Sequence, residues 1–206
     1  MKKKNTQLRW LVTTFLLVAA MVVPTQAWAD IEPSKPSGEG TSTSPYQIST
    51  AAELYWFAGL VNGDEKVCTG DVNRNLSACA TLTADITVNS GVLKADGTLA
   101  DDTSSFTEWT PMGDPPNQPY NGTFEGANHT ISGLYFNNST TNHVGLFGGI
   151  CGTVMNVGVI DSYFKGQSYV GGVCGMIKNY GTITNCYNTG AVSGSYEVGG
   201  VCGRNT

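Results

Sequence analysis

Hydrophobic residues in this chain come in bursts of about 3–5 positions, each closed by Gly, Asn or Ser-Gly. The bursts repeat. Tyr169-Val170-Gly171-Gly172-Val173-Cys174-Gly175 returns as Glu197-Val198-Gly199-Gly200-Val201-Cys202-Gly203, 28 residues on (198 − 170). A looser copy, Val144-Gly145-Leu146-Phe147-Gly148, lies 26 residues upstream (170 − 144). Gly152-Thr153-Val154-Met155-Asn156-Val157 likewise matches Gly181-Thr182-Ile183-Thr184-Asn185-Cys186. One unit therefore predicts an apolar strand, a turn, a Gly-Thr-hydrophobic strand ending near Asn, a second turn, and a strand through Ser162-Tyr163-Phe164 or Ala191-Val192-Ser193. No segment of the repeats holds a 3.6-residue apolar period long enough for a helix.

Strands this short cannot bury a face alone. A period between 20 and 50 residues is the mark of a stacked array. If each unit lies on the one before, every strand pairs in parallel with its counterpart about 4.8 Å away, and inward side chains merge into one core. The predicted fold is all-β: a right-handed parallel β-helix, or solenoid. Eighteen of the 26 glycines fall at or after Gly122, where backbone must bend and pass close to backbone. Equivalent positions should then stack: Val144 with Val170 and Val198, and Phe147 with Cys174 and Cys202. Asn156 and Asn185 suit a two-step amide stack, with exposed turn chemistry as the alternative.

Upstream the pattern changes. Residues 30–44, rich in Pro, Ser, Gly and Thr, read as a flexible leader. Pro45-Tyr46-Gln47-Ile48 reads as a first strand. Thr50-Ala51-Ala52-Glu53 is a capping box that opens a helix to about Val61, with Leu54, Phe57, Ala58 and Val61 on one face. Such a helix can cover the open first coil of a solenoid, whose strand edges would otherwise recruit other chains. A strand follows over Ala80–Val88, then a polar excursion over Ser90–Phe106, so 45–121 reads as cap and first coils and 122–206 as the repeat region.

The N-terminus adds location. Lys2, Lys3, Lys4 and Arg9 precede an apolar run from Trp10 to Val23, and Ala27-Trp28-Ala29 offers a processing site. Residues 1–29 read as a secretory signal peptide, which implies a secreted or cell-surface protein with no membrane insertion after cleavage. The mature chain would carry a net charge of about −9 (7 − 16), which argues against nucleic acid and anionic membranes as partners.

Gly122-Thr123-Phe124, then Asn128-His129-Thr130-Ile131-Ser132-Gly133-Leu134, ahead of the three Val-Gly cores, resembles the bacterial exported proteins that carry the GLUG motif. The strand-helix start at Pro45, Leu82-Thr83-Ala84-Asp85-Ile86 and Trp109–Gly113 are also similar to that family's N-terminal region. The resemblance runs from about Thr41 to the end. It implies an adhesin-like repeat module of a bacterial surface protein and brings no catalytic motif. The chain stops at Arg204-Asn205-Thr206, early in its last copy. The expectation is an uncapped final coil, a truncated product or fragment, and end-to-end self-association.

Candidate chemistry is sparse. His129 and His143 have no metal-ligand spacing around them, and no nucleophile elbow or phosphate loop is present, so no catalytic, cofactor or metal residue is assigned. Asp96, Asp101, Asp102, Asp114, Asp161 and Glu197 read as solvated loop charges; a carbohydrate-active enzyme, which needs clustered carboxylates, is the alternative function. Cys68 and Cys79 flank a polar loop and form a candidate disulfide. Cys174 and Cys202 read as inward-facing small hydrophobes, with a bridge between neighbouring coils the alternative. Tyr163, Tyr169, Tyr187 and Tyr196 are the candidate ligand-facing aromatics, for glycans or for host or cell-surface proteins.

Overall fold

The structure, a computed structural model, describes residues 31–69, 72–115 and 117–206. The segment expected to be a signal peptide lies outside the described residues. The first elements are β1 (Tyr46–Ile48), α1 (Ala51–Asn62), β2 (Ala80–Leu82) and β3 (Ile86–Thr87). Four strands follow: β4 (Thr123–Glu125), β5 (Thr130–Ser132), β6 (Tyr135–Asn137) and β7 (Phe147–Ile150). The next tier is β8 (Thr153–Met155), β9 (Gly158–Ile160), β10 (Tyr163–Lys165), β11 (Ser168–Gly171) and β12 (Cys174–Ile177). The last is β13 (Thr182–Thr184), β14 (Tyr187–Asn188), β15 (Ala191–Ser193), β16 (Tyr196–Gly199) and β17 (Cys202–Asn205).

The fold is all-β with parallel sheets and one short helix. Apart from β1 and β2, which pair across the helix between them, strands adjacent in sequence do not pair; each pairs in parallel with its counterpart in the neighbouring tier. The sheet orders are β1-β2-β4-β8-β13, β3-β5-β9-β14, β6-β10-β15, β11-β16 and β7-β12-β17. The registers place like on like: Thr153 on Thr182, Tyr135 on Tyr163, Val170 on Val198, and Phe147 on Cys174 on Cys202. Val144, outside any strand, still bridges Val170 in parallel.

These registers build the core. Phe124, Val154, Ile131, Val159, Phe164, Val144, Val170, Phe147 and Cys174 are all fully buried and belong to one cluster. Burial fades in the last tier, where Val198 is 42% exposed and Ile183, Val192 and Cys202 are partly buried. In the last tier these residues have a strand neighbour on one side only among the described residues.

The capping box is formed. Thr50 Oγ1 accepts from the Glu53 amide at 3.2 Å, and the Glu53 carboxylate accepts from the Thr50 amide at 3.1 Å. Gly63 ends the helix in the left-handed region at φ 75°, its N–H bonded to Gly59 O. The helix is buried on more than the expected face: Trp56 and Leu60 are covered as well. Phe57 packs against Tyr120 and Phe124, at 6.1 and 6.0 Å between ring centroids, so the helix seals one end of the core.

Two expectations are corrected. Residues 31–44 are not a free leader: Ser37 bridges Gln47, Ser34 N–H bonds Ala52 O, and Gly40 O accepts from Cys79 N–H. The strand expected over Ala80–Val88 is two strands in two sheets. The chain turns a corner at Asp85, whose carboxylate faces outward to accept from the Thr130 amide at 2.8 Å.

Candidate functional site

The tyrosines chosen from sequence do not converge. Tyr163 lies in β10, Tyr169 in β11, Tyr187 in β14 and Tyr196 in β16, so they face three different sheets. The register separates even Tyr169 from Tyr196, because Tyr196 pairs with Ser168. Tyr187 lays its ring across Gly158, where a Cβ would fall 2.4 Å from it, and is 48% exposed. Tyr196 is 68% exposed and stands apart.

Tyr163 is different, because it joins a row. Tyr135 and Tyr163 occupy the same repeat position, and their rings stack at 6.3 Å. Phe106, from the polar excursion, meets Tyr135 edge-on at 5.4 Å. The inward partners Phe136 and Phe164 alternate with this row, which keeps its rings on the outer face. Asn137 and Lys165 lie beside it two residues on.

Phe106 also lines a cleft of about 330 Å³ between α1 and the 105–110 strap, with Tyr55, Asp64, Lys66, Glu108 and Trp109 on its walls. Trp109 is fully buried, donates its Nε1–H to Gly145 O at 3.1 Å, and packs edge-on to Tyr55 at 5.3 Å. Tyr55 donates its hydroxyl to Glu108 O at 3.0 Å; burial, then the Glu108 charge, pushes its pKa up, so it remains a neutral phenol.

The strap is held by a residue that sequence reasoning missed. Asn89, 7% exposed, donates Nδ2–H to Gly133 O at 2.7 Å and to Thr107 O at 2.9 Å, and accepts from Thr107 N–H at 2.8 Å. Gly133 is required beneath it. A Cβ there would fall 1.8 Å from Asn89 O, and its φ of 79° is left-handed. Asp161, which stands one tier over Gly133, fastens the same excursion. Its carboxylate accepts from the amides of Gly91, Val92 and Leu93 at 3.1, 3.4 and 2.9 Å. A lone acid where the neighbouring copy has Gly was the available signal for this contact.

A second column carries polarity. His143, Tyr169 and Glu197 each precede a stacked valine, and each is left-handed, at φ 62°, 58° and 51°. His143 stacks on Tyr169 at 4.7 Å and nearly parallel. Arg204 lies over the Tyr169 ring at 5.5 Å and pairs with Glu197 at 3.3 Å. Burial lowers the His143 pKa, with Asp114 opposing. The amide stack is present as well: Asn185 donates to Asn156 at 3.1 Å, and Asn156 donates to the Glu125 carboxylate at 2.9 Å.

Four more carboxylates are held by single contacts: Asp101 pairs with Lys94, Asp96 binds Thr98 and Asp102 binds Ser104 close in sequence, while Asp85 pairs with His129 at 3.2 Å, 44 residues away. Among the described residues no group of three or more His, Cys, Asp or Glu side chains gathers where a metal could be held. No helix among them is long and apolar enough to cross a membrane.

All six cysteines are free thiols. The bridge expected between Cys68 and Cys79 is not formed. Cys68 is folded back on the helix end, its Sγ facing Gly59 O, while Cys79 faces Ser77 O at the entry to β2. Cys174 and Cys202 do stack, as the repeat required.

Residues 166–193 match the Glug family, described as the GLUG motif. The chain is 28% identical over 173 residues to Halomucin of Haloquadratum walsbyi, a match covering 82% of this chain and 2% of that protein's length. A crystal structure from Bacteroides ovatus, provisionally described as an immunoglobulin A1 protease, aligns with TM-score 0.42 and 17% identity. It covers 84% of this chain and 65% of that one. A TM-score of 0.42 is too low to carry an argument about fold or activity.

Proposed function

From a chain that carries the GLUG motif, we propose an exported, non-enzymatic right-handed β-solenoid. Its task is adhesion or surface presentation, as one module of a larger surface protein. The Phe106–Tyr135–Tyr163 row, whose two tyrosines stack in register, carries this reading. Repeat stacking fixes its ring spacing, Asn89 fixes its first member, and the row opens onto the cleft beside α1. Flat aromatic faces on a rigid support, flanked by Asn137 and Lys165, suit the apolar faces and hydroxyls of a glycan chain. Preorganised rings lose little freedom on binding, so the face can bind without any lid or moving part. A likeness to Halomucin over 2% of its length fits a module used inside a very long protein.

A glycan array on the full chain tests this. Tyr163→Ala and Phe106→Ala should each weaken binding by about fivefold, since one aromatic contact contributes on the order of 1 kcal/mol. Binding that both variants leave unchanged, or no glycan bound at all, would refute the assigned face. Cleavage of an acidic polysaccharide, abolished by a single Asp substitution, would replace the reading with a carbohydrate-active enzyme.

A further inference from the structure

We propose that Cys174 and Cys202 are a disulfide-forming pair that staples the last tier of the sheet stack to the tier beneath it. The argument starts from register. Cys174 in β12 and Cys202 in β17 are direct partners across a parallel ladder, and the ladder continues through Met176–Arg204 and Ile177–Asn205. Opposed residues on neighbouring strands stand about 4.8 Å apart, within the Cα separations that disulfides span. The two side chains point the same way, into the core row headed by Phe147. They also have the same surroundings. Each Sγ donates to the carbonyl two residues on, Met176 O and Arg204 O, at 3.1 Å in both cases.

A disulfide needs its Cβ atoms at about 3.5–4.5 Å, so the strands must close by less than about 1 Å. β17 can do so, because it is paired on one side only. Cys68, Cys79, Cys151 and Cys186 lie outside the strands, and the registers set no second cysteine opposite them.

The two thiols differ in a way that orders the chemistry. Cys174 is fully buried and burial pushes its pKa well up, whereas Cys202 is half-buried and the adjacent Cys174 thiol lowers its pKa to about 7. Cys202, the more exposed of the two, is therefore the thiol that deprotonates and meets an external oxidant, here a small-molecule disulfide. Its sulfur attacks one sulfur of that disulfide, breaking the S–S bond and releasing one thiolate. Cys174 loses its proton and attacks Cys202 Sγ in the mixed disulfide. The protein S–S bond forms and the second small thiol leaves. Two protein thiols are oxidised and one small disulfide is reduced to two thiols.

The experiment equilibrates the full chain with oxidised and reduced glutathione, then maps peptides by mass spectrometry under non-reducing conditions. The expected species joins the peptides holding Cys174 and Cys202, two hydrogens lighter than their sum. The closed loop is long enough that the oxidised protein should melt about 10 °C above the reduced one. Cys202→Ser, at the half-buried position, should fold, lose the crosslinked peptide and lose the Tm difference. The proposal is overturned by a stable glutathione adduct on Cys202 that Cys174 never resolves. It is equally overturned by a crosslink that joins other cysteines, or by equal Tm values for the crosslinked and reduced wild-type chains.

Discussion

Val144, Val170 and Val198 are one residue type at one repeat position, yet the tier decides what each contributes. Val144 and Val170 are fully buried, while Val198 is 42% exposed. Val→Ala removes two carbons. At about 0.8 kcal/mol per buried CH₂ the lost transfer energy is about 1.6 kcal/mol, and an incompletely collapsed cavity raises it to about 2 kcal/mol. At Val198 roughly half of that transfer energy is present and no closed cavity forms, so the cost should stay below about 1 kcal/mol. Urea unfolding of the three variants, followed by tryptophan fluorescence at low protein concentration, measures the difference as a shift in midpoint at constant slope. A Val198→Ala cost equal to that of Val170→Ala would mean the last tier is covered in solution. Costs near zero at both Val144 and Val170 would refute the stacking itself, because an in-register core leaves neither residue anywhere to go.

Further outcomes follow from single contacts. Asn156→Ala should destabilise by about 2 kcal/mol, from a non-Gly residue at φ 55° and the lost bonds to Glu125 and Asn185. Asn156→Gly should recover only the backbone share, and denaturation midpoints separate the two. His143 has its folded pKa below its unfolded value, so its contribution is intact above the unfolded pKa of about 6.5 and fades as pH falls through the folded pKa. Urea midpoints at pH 7.5 and 5.5 should therefore differ less in His143→Asn than in the wild type; an equal difference would remove His143 as the cause.

Much of the architecture was legible because the repeat is written in residue identity. Val170 over Val144, Cys174 over Phe147 and Asn185 over Asn156 follow from spacing alone, since a parallel stack returns equivalent residues to one place. The Thr50–Glu53 capping box was legible for a related reason: its partners are three residues apart, and local geometry brings them together. The binding row was only half visible. Tyr135 and Tyr163 share a repeat position, but Phe106 reaches them from a non-repeating excursion held by Asn89 and Asp161. No local pattern announces contacts between residues 44 or 70 positions apart. Tyr169, Tyr187 and Tyr196 looked like members of one strip because the sequence shows spacing and not which sheet a residue joins.

By itself the sequence determined that short strands must stack in parallel, since none is long enough to bury a face and the valine of each Val-Gly core returns at a fixed spacing. Tertiary structure alone decided which corner each strand turns, which sheet each tyrosine faces, and that Cys68 and Cys79 point to different carbonyls. Periodicity constrains the distance along the chain between equivalent residues. The direction of a side chain depends on turn conformations and on non-repeating segments packed from outside, and these leave no period to read.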